Sequence, residues 1–243
     1  MAALWDFDTC MVYGIYGSLG GGKSLTAVEM MIDALNHGHK VVSNIQLFNL
    51  GEQSSRLYTY MPEIMECDFK KDLPVGAPRG SLYKDKVLIV IDEMAECFDQ
   101  FSTERARHFM TWARHSSKLG QIPVFIVQNP EYLAKSIRLL VYRWIFSEDM
   151  KTFRMPVLRC RLPFVKNYCR RVLFDKRFNQ ISRSIWNFVD KRGYGKYYNT
   201  AQLVGLGLSS DGFVPSIQDS QFDFFRFSLV VCCLSLLAVV LFY

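Results

Sequence analysis

Met11–Ser24 reads M-V-Y-G-I-Y-G-S-L-G-G-G-K-S, an apolar run from Met11 to Tyr16 leading into a G-x-x-x-x-G-K-[ST] octapeptide at Gly17–Ser24. The octapeptide is a complete phosphate-binding loop. Its glycines let successive backbone N–H groups curl around phosphate oxygens, Lys23 adds positive charge near the β- and γ-phosphates, and Ser24 offers a hydroxyl to Mg²⁺. A helix from Lys23 to about Asn36 would add the positive end of its dipole. The nucleotide-binding set expected from this stretch is Gly17, Ser18, Leu19, Gly20, Gly21, Gly22, Lys23, Ser24 and Leu25, with ATP and Mg²⁺ as the ligands. Because the loop reads phosphates and not the base, GTP stays open.

Outward from the loop, the chain alternates between elements. A strand is predicted near Lys40–Ile45, followed by a connection over Leu50–Lys86 that is rich in Gly, Pro and charge, holds little periodic pattern beyond Leu57–Met65 and reads as an insertion. The pattern resumes at Val87-Leu88-Ile89-Val90-Ile91, a continuous aliphatic run of the kind a strand shows when both its faces are buried. Asp92 and Glu93 follow at once. An acidic pair at the end of such a strand suits hydrolysis: Asp92 as metal ligand alongside Ser24, Glu93 as the catalytic group that orients or deprotonates the attacking water.

A helix is predicted over Thr103–Lys118, capped by Ser102 or Thr103 and stopped by Gly120. A further buried strand, Val124–Val127, ends in Gln128-Asn129-Pro130. The Gln128 amide suits either a hydrogen bond to the γ-phosphate or the lytic water, or a turn that satisfies the local backbone. A helix over Glu131–Leu139 and a strand over Val141–Phe146 would finish the sheet. The fold class is therefore α/β, a P-loop NTPase with a mainly parallel sheet flanked by helices.

The chain has 243 residues, half of them hydrophobic, enough for one α/β domain with an appended part. Seven cysteines show no C-x-x-C pair and no metal spacing, which suits reduced thiols in a cytosolic compartment. The formal net charge of +6 is unevenly placed: Arg138–Lys196 holds fifteen Lys and Arg against four Asp and Glu. Such an excess suits a nucleic-acid backbone or an anionic membrane surface. The aromatics interleaved with it, among them Phe164, Tyr168, Phe174, Phe178, Trp186, Phe188, Tyr194, Tyr197 and Tyr198, suit base stacking on single-stranded nucleic acid, a juxtamembrane platform or a packed subdomain.

Phe227–Tyr243 carries no charged residue and directly follows Arg226. At 1.5 Å per residue it meets the lower limit for crossing a hydrocarbon core of about 30 Å. The basic excess before it predicts a cytoplasmic body, a single pass and a C-terminus at the far face, with no domain beyond the membrane. The expected organisation is 1–149 loop domain, 150–200 basic and aromatic subdomain, 201–226 juxtamembrane linker and 227–243 transmembrane helix.

Three blocks carry a family resemblance: G-I-Y-G-S-L-G-G-G-K-S at the loop, V-L-I-V-I-D-E at the second motif, and W-A-R-H-S-S-K-L-G-Q-I-P-V-F-I-V-Q-N-P followed by S-I-R-L-L-V. Over roughly Met11–Phe146, and more weakly to Tyr198, the chain resembles the zonula occludens toxin-like family, which includes assembly ATPases of filamentous bacteriophages. In that family the third block has a His-Arg-His helix end; here Ala113-Arg114-His115 stands in its place and the first His is missing.

The resemblance implies a host inner-membrane ATPase that exports phage DNA, single-stranded in such phages, while coat subunits assemble around it. It implies a homo-oligomeric ring, and contact with any outer-membrane exit channel through another protein. In a ring, Arg114 is the candidate to reach a neighbouring subunit's nucleotide, with Arg138 second. Two other function classes share the loop: a DNA-packaging or translocating motor of a membrane-containing phage, and a non-catalytic nucleotide-binding assembly scaffold.

Overall fold

The computed structural model describes residues 4–81, 85–94, 103–152, 167–181 and 188–198. The predicted linker 201–226 and membrane helix 227–243 lie outside these residues, as do Phe164, Trp186 and Ser102. Among the described residues no helix is long and apolar enough to cross a membrane.

Among the described residues eight strands form one sheet: β1 (Tyr13–Tyr16), β2 (Lys40–Ser43), β3 (Tyr58–Tyr60), β4 (Val87–Ile91), β5 (Gln121–Val127), β6 (Arg143–Asp149), β7 (Tyr168–Asp175) and β8 (Phe188–Asp190). Their spatial order is β3-β2-β4-β5-β1-β6-β7-β8. From β3 to β6 every pairing is parallel, whereas β7 and β8 join antiparallel beyond β6. The strands that matter for the site are the central ones. β5 lies between β4 and β1, in register Val90↔Val124 on one side and Tyr13↔Val124 on the other.

Every residue of β4 and β5 is buried, as the continuous apolar runs predict for strands covered on both faces. Leu88, Val90, Val124 and Ile126 pack with α1 (Lys23–Asn36) on one face. Val87, Ile89, Ile91, Phe125 and Val127 pack on the other with Phe109 and Trp112 of α3 (Thr103–His115). On that second face Phe109 lies 5.1 Å from Trp112 and 5.3 Å from Phe125, ring centre to ring centre.

Several expectations are corrected at element ends. The connection after β2 is no bare insertion: it holds α2 (Glu52–Leu57) and β3, which pairs with β2 at the sheet edge. β3 falls inside Leu57–Met65, the stretch of this connection with a periodic pattern, and besides its pairing with β2 the Tyr58 hydroxyl donates to the Ile45 carbonyl. The helix expected over Glu131–Leu139 is only a 3-10 turn at Pro130–Tyr132 and a four-residue helix, α4 (Lys135–Arg138). Here the Asn129 side chain accepts the Glu131 N–H at 3.0 Å, and the turn it makes competes with a longer helix. The strand at Gln121 starts ahead of Pro123, with β1 meeting it only from Val124 onward.

The sheet does not finish at Phe146. β6 runs to Asp149, and the described part of 150–200 adds β7 and β8 to the same sheet, followed by α5 (Lys191–Gly195). Arg171 of β7 explains the join. Its guanidinium is buried, paired with Glu29 of α1 and placed 5.7 Å over the Trp5 ring. Burial lowers the Arg171 pKa and raises that of Glu29, each opposed by the other's charge. A buried pair of this kind fixes how β7 meets the helix that follows the loop. Several described aromatics of this region touch the core: Phe178, itself exposed, stacks on Trp144 at 5.6 Å, Phe174 lies against Tyr16, and Tyr194, Tyr197 and Tyr198 sit against the α1 side of the core.

Candidate nucleotide site

The loop Gly17–Gly22 connects the C-terminal end of β1 to α1, at the end of the sheet where the neighbouring central strands β4 and β5 also finish. Such a crevice beyond the carboxyl ends of parallel strands is where open α/β sheets bind ligands. The loop rests on β6 and β7. A Cβ on Gly17 would lie 2.1 Å from the Ser147 carbonyl oxygen, and one on Gly22, whose φ is +83°, would lie 2.2 Å from the Cys169 sulfur. Both positions therefore require glycine. Ser147 donates its hydroxyl to the Gly21 carbonyl at 2.8 Å, while Thr26 donates to the Gly22 carbonyl at 3.0 Å.

Gly22 caps α1 with no side-chain hydrogen bond, and the first turn of α1 contains no acidic residue. The N–H groups of that first turn thus have no capping side chain, and the helix dipole favours an anion there. Lys23 bends back so that its ammonium donates to the Ser18 carbonyl at 2.9 Å. Burial lowers its pKa, and Asp92 and Glu93 oppose that shift.

Ser24 and Asp92 come together from elements 68 residues apart: the Ser24 hydroxyl donates to Asp92 Oδ2 at 2.9 Å. The other carboxylate oxygen, Oδ1, accepts the Glu93 N–H at 2.9 Å. Glu93 itself has φ +54°, a left-handed backbone uncommon outside glycine, and its side chain is exposed. Strained backbone of this sort concentrates at functional sites because the surroundings must hold it.

Asn44, just past β2, supplies that hold, and nothing in the sequence singled it out. Its amide donates to the Asp92 carbonyl at 3.1 Å and accepts the Asp92 N–H at 2.8 Å. This two-way bond fixes the backbone of the residue that precedes the strained Glu93. Asn44 is buried, and Asn44→Ala would remove both of these bonds at once, each worth about 0.5–1.5 kcal/mol net. The expected result is a loss of roughly 1–3 kcal/mol in chemical denaturation, and a wild-type denaturation curve would sink the clamp.

Gln128 stands exposed at the tip of β5, between the strand ends that carry Asp92-Glu93 and the loop. Arg114 is elsewhere. It lies exposed at the C-terminal end of α3, which leads through a 3-10 turn (Ser116–Leu119) to the start of β5. The loop is at the opposite end of the strands, and β5 alone spans about 20 Å. The same chain's Arg114 is therefore not brought to its own loop. Arg138 lies in α4, on the way back to the start of β6. Ala113, at the place of the family's first His, is buried.

The donor set fits a nucleotide with Mg²⁺. Ser24 and Asp92 offer hard oxygens, which suit a cation that commonly binds one or two protein oxygens and completes its shell with phosphate and water. The glycine cradle and the α1 N-terminus fit the phosphates themselves.

Comparisons with known proteins agree with the motifs. The family model described as Zonular occludens toxin (Zot) matches residues 11–156, more than half of the chain. The chain is 26% identical to the Gene 1 protein of Enterobacteria phage M13 over 204 residues, covering 76% of this chain and 58% of that protein. It is 22% identical to the Gene 1 protein of Escherichia phage If1 over 202 residues, covering 76% of this chain and 57% of that protein. Among solved structures, the N-terminal domain of zonular occludens toxin from Neisseria meningitidis aligns with 78% of this chain and 98% of its own length, at 16% identity and a TM-score of 0.47. The packaging NTPase B204 of Sulfolobus turreted icosahedral virus 2 aligns with 72% of this chain and 97% of its own length, at 13% identity and a TM-score of 0.43.

Proposed function

The chain belongs to the zonular occludens toxin (Zot) family, and from that premise we propose that it is a membrane-anchored nucleoside triphosphatase that drives the assembly and export of filamentous phage virions through the host inner membrane. The observation that carries this reading is the meeting of Lys23, Ser24, Asp92 and Glu93 at one end of the sheet. The curated relatives are Gene 1 proteins of filamentous phages, and the chain spans 57% to 58% of their length.

In this reading ATP lies with its phosphates along Gly17–Leu25. Lys23 leaves the Ser18 carbonyl to pair with the β- and γ-phosphate charge. Ser24 and Asp92 would hold Mg²⁺, which would neutralise charge on the phosphates. Glu93 takes the proton of the attacking water, and Gln128 at the tip of β5 orients that water or the γ-phosphate. Arg114 serves a neighbouring copy in a homo-oligomeric ring, since it is remote from its own loop. The apolar run Phe227–Tyr243 anchors the body to the cytoplasmic side of the inner membrane. Phage DNA and coat subunits are the partners on which hydrolysis acts, with any outer-membrane channel reached through another protein.

The test is release of inorganic phosphate from ATP by the full chain in detergent, expected to need Mg²⁺ and to stop when the metal is chelated. Phosphate release at background level in both conditions would remove the hydrolytic reading. For the anchor, a C-terminal tag that can be reached only from the cytoplasm would sink the proposed span.

A further inference from the structure

Ser147 of β6 is a polar residue in an apolar place. It stands two residues on from Ile145, on the face of β6 that meets α1, and neither side chain is exposed to solvent. A buried hydroxyl costs stability unless it is hydrogen-bonded. Here its bond goes to the phosphate loop, Ser147 Oγ donating to the Gly21 carbonyl at 2.8 Å. That carbonyl lies one residue ahead of the first helical bond of α1, which runs from the Thr26 N–H to the Gly22 carbonyl at 2.9 Å. Gly21 thus takes from β6 what Gly22 takes from the helix. The loop presses on the same strand at two further points, because a Cβ on Gly17 or on Gly21 would collide with the Ser147 carbonyl oxygen. Behind Gly22 stands Cys169 of β7, whose sulfur fills the space a Cβ there would need.

The peptide between Gly21 and Gly22 is planar and trans, so its C=O and its N–H point in opposite directions. With the carbonyl held on β6, the Gly22 N–H faces the side of the loop that β6 does not cover. Two adjacent glycines would otherwise let this peptide rotate at little steric cost. We propose that Ser147 is a positioning residue for the phosphate loop: its hydroxyl holds the Gly21 carbonyl against β6 and thereby commits the Gly22 N–H to phosphate. A carbonyl free to turn outward would present the negative end of its dipole to the phosphates in place of a donor. The inference rests on the nucleotide reading of the loop, and it makes β6 a working part of the site. Thr26 offers a contrast. Its hydroxyl, also buried, lies 3.3 Å from Ser147 Oγ and donates to the Gly22 carbonyl at 3.0 Å, but that carbonyl keeps the Thr26 N–H when the hydroxyl is removed.

The test measures binding of a fluorescent, non-hydrolysable ATP analogue with Mg²⁺ to the full chain in detergent, for the wild type, Ser147→Ala, Ser147→Thr and Thr26→Val. Loss of one such bond lowers the population of the binding-competent loop, so Ser147→Ala is expected to bind about three- to tenfold more weakly. Ser147→Thr keeps the hydroxyl and Thr26→Val keeps the N–H on the Gly22 carbonyl, so both are expected to stay within about twofold of the wild type. Wild-type affinity in Ser147→Ala overturns the proposal. So does a loss in Ser147→Thr or Thr26→Val as large as that in Ser147→Ala, since the effect would then be a general loosening of the buried contact. If the wild type itself does not bind the analogue, the nucleotide reading falls and this inference with it. Amide exchange with water on the wild-type chain, read by NMR, is independent of how any variant folds. The Gly22 N–H is expected to exchange freely in the empty protein and to slow when the analogue binds. Protection of this N–H in the empty protein, or none on binding, overturns the orientation.

Discussion

Replacing Lys23 with alanine is expected to cut nucleotide turnover by at least about 100-fold, the usual cost of removing one preorganised charge from a transferring phosphoryl group, and to bring virion release to background. The protein itself should be nearly as stable as the wild type. The Lys23 ammonium is partly buried, and its lowered pKa records that burial disfavours its charge. Its bond partner, the Ser18 carbonyl, belongs to an exposed residue that water can serve instead. Loss of the side chain therefore removes positive charge from the phosphate position without opening a cavity in the core. Thermal denaturation, phosphate release and a count of virions shed by cells carrying the variant check the three parts separately. Wild-type virion release with turnover abolished would take the energy-transducing role away from this site while leaving the enzyme intact.

What could be read in advance follows from how far each feature's causes lie along the chain. The loop, β4 with Asp92-Glu93, and β5 with Gln128 each carry their own signal within a dozen residues: a fixed glycine spacing, or an aliphatic run that ends in a polar tip. Parallel strands buried on both faces must be apolar throughout, which makes them conspicuous. β7 was hidden for the opposite reason. Its buried positions alternate as Cys169, Arg171 and Leu173, and the Arg in the middle breaks an apolar pattern because its partner, Glu29, is 142 residues away. Asn44 escaped notice in the same manner, since its bonds reach 48 residues to the Asp92 backbone. Tyr198 reads as one of many aromatics in a basic segment, and only the folded chain sets it against the core beside α1. Arg114 shows the converse. Its motif was legible, but the direction in which α3 meets β5 was not, and that direction places it at the end of the sheet away from the loop.

Glu93→Gln separates binding from chemistry. The glutamine has nearly the same size, keeps a hydrogen-bonding tip and loses only the negative charge and the basicity. Ser24 and both oxygens of Asp92 keep their partners, because the contacts at 2.9 Å from Ser24 and from the Glu93 N–H do not involve the Glu93 side chain. Asn44 still fixes the Asp92 backbone, so the unusual φ of +54° at position 93 is imposed as before. The affinity for nucleotide should accordingly stay within about threefold of wild type, since a group that acts only in the transition state leaves ground-state binding alone. Turnover should fall by about 10²–10⁴-fold, the contribution of a positioned general base. In Lys23→Ala, by contrast, the lost charge also acts on the bound phosphates, so affinity falls together with turnover. The pair of variants thus locates each residue on its own step. Normal turnover in Glu93→Gln would strip Glu93 of the proton and pass the water to Gln128, the other polar tip between the same strand ends.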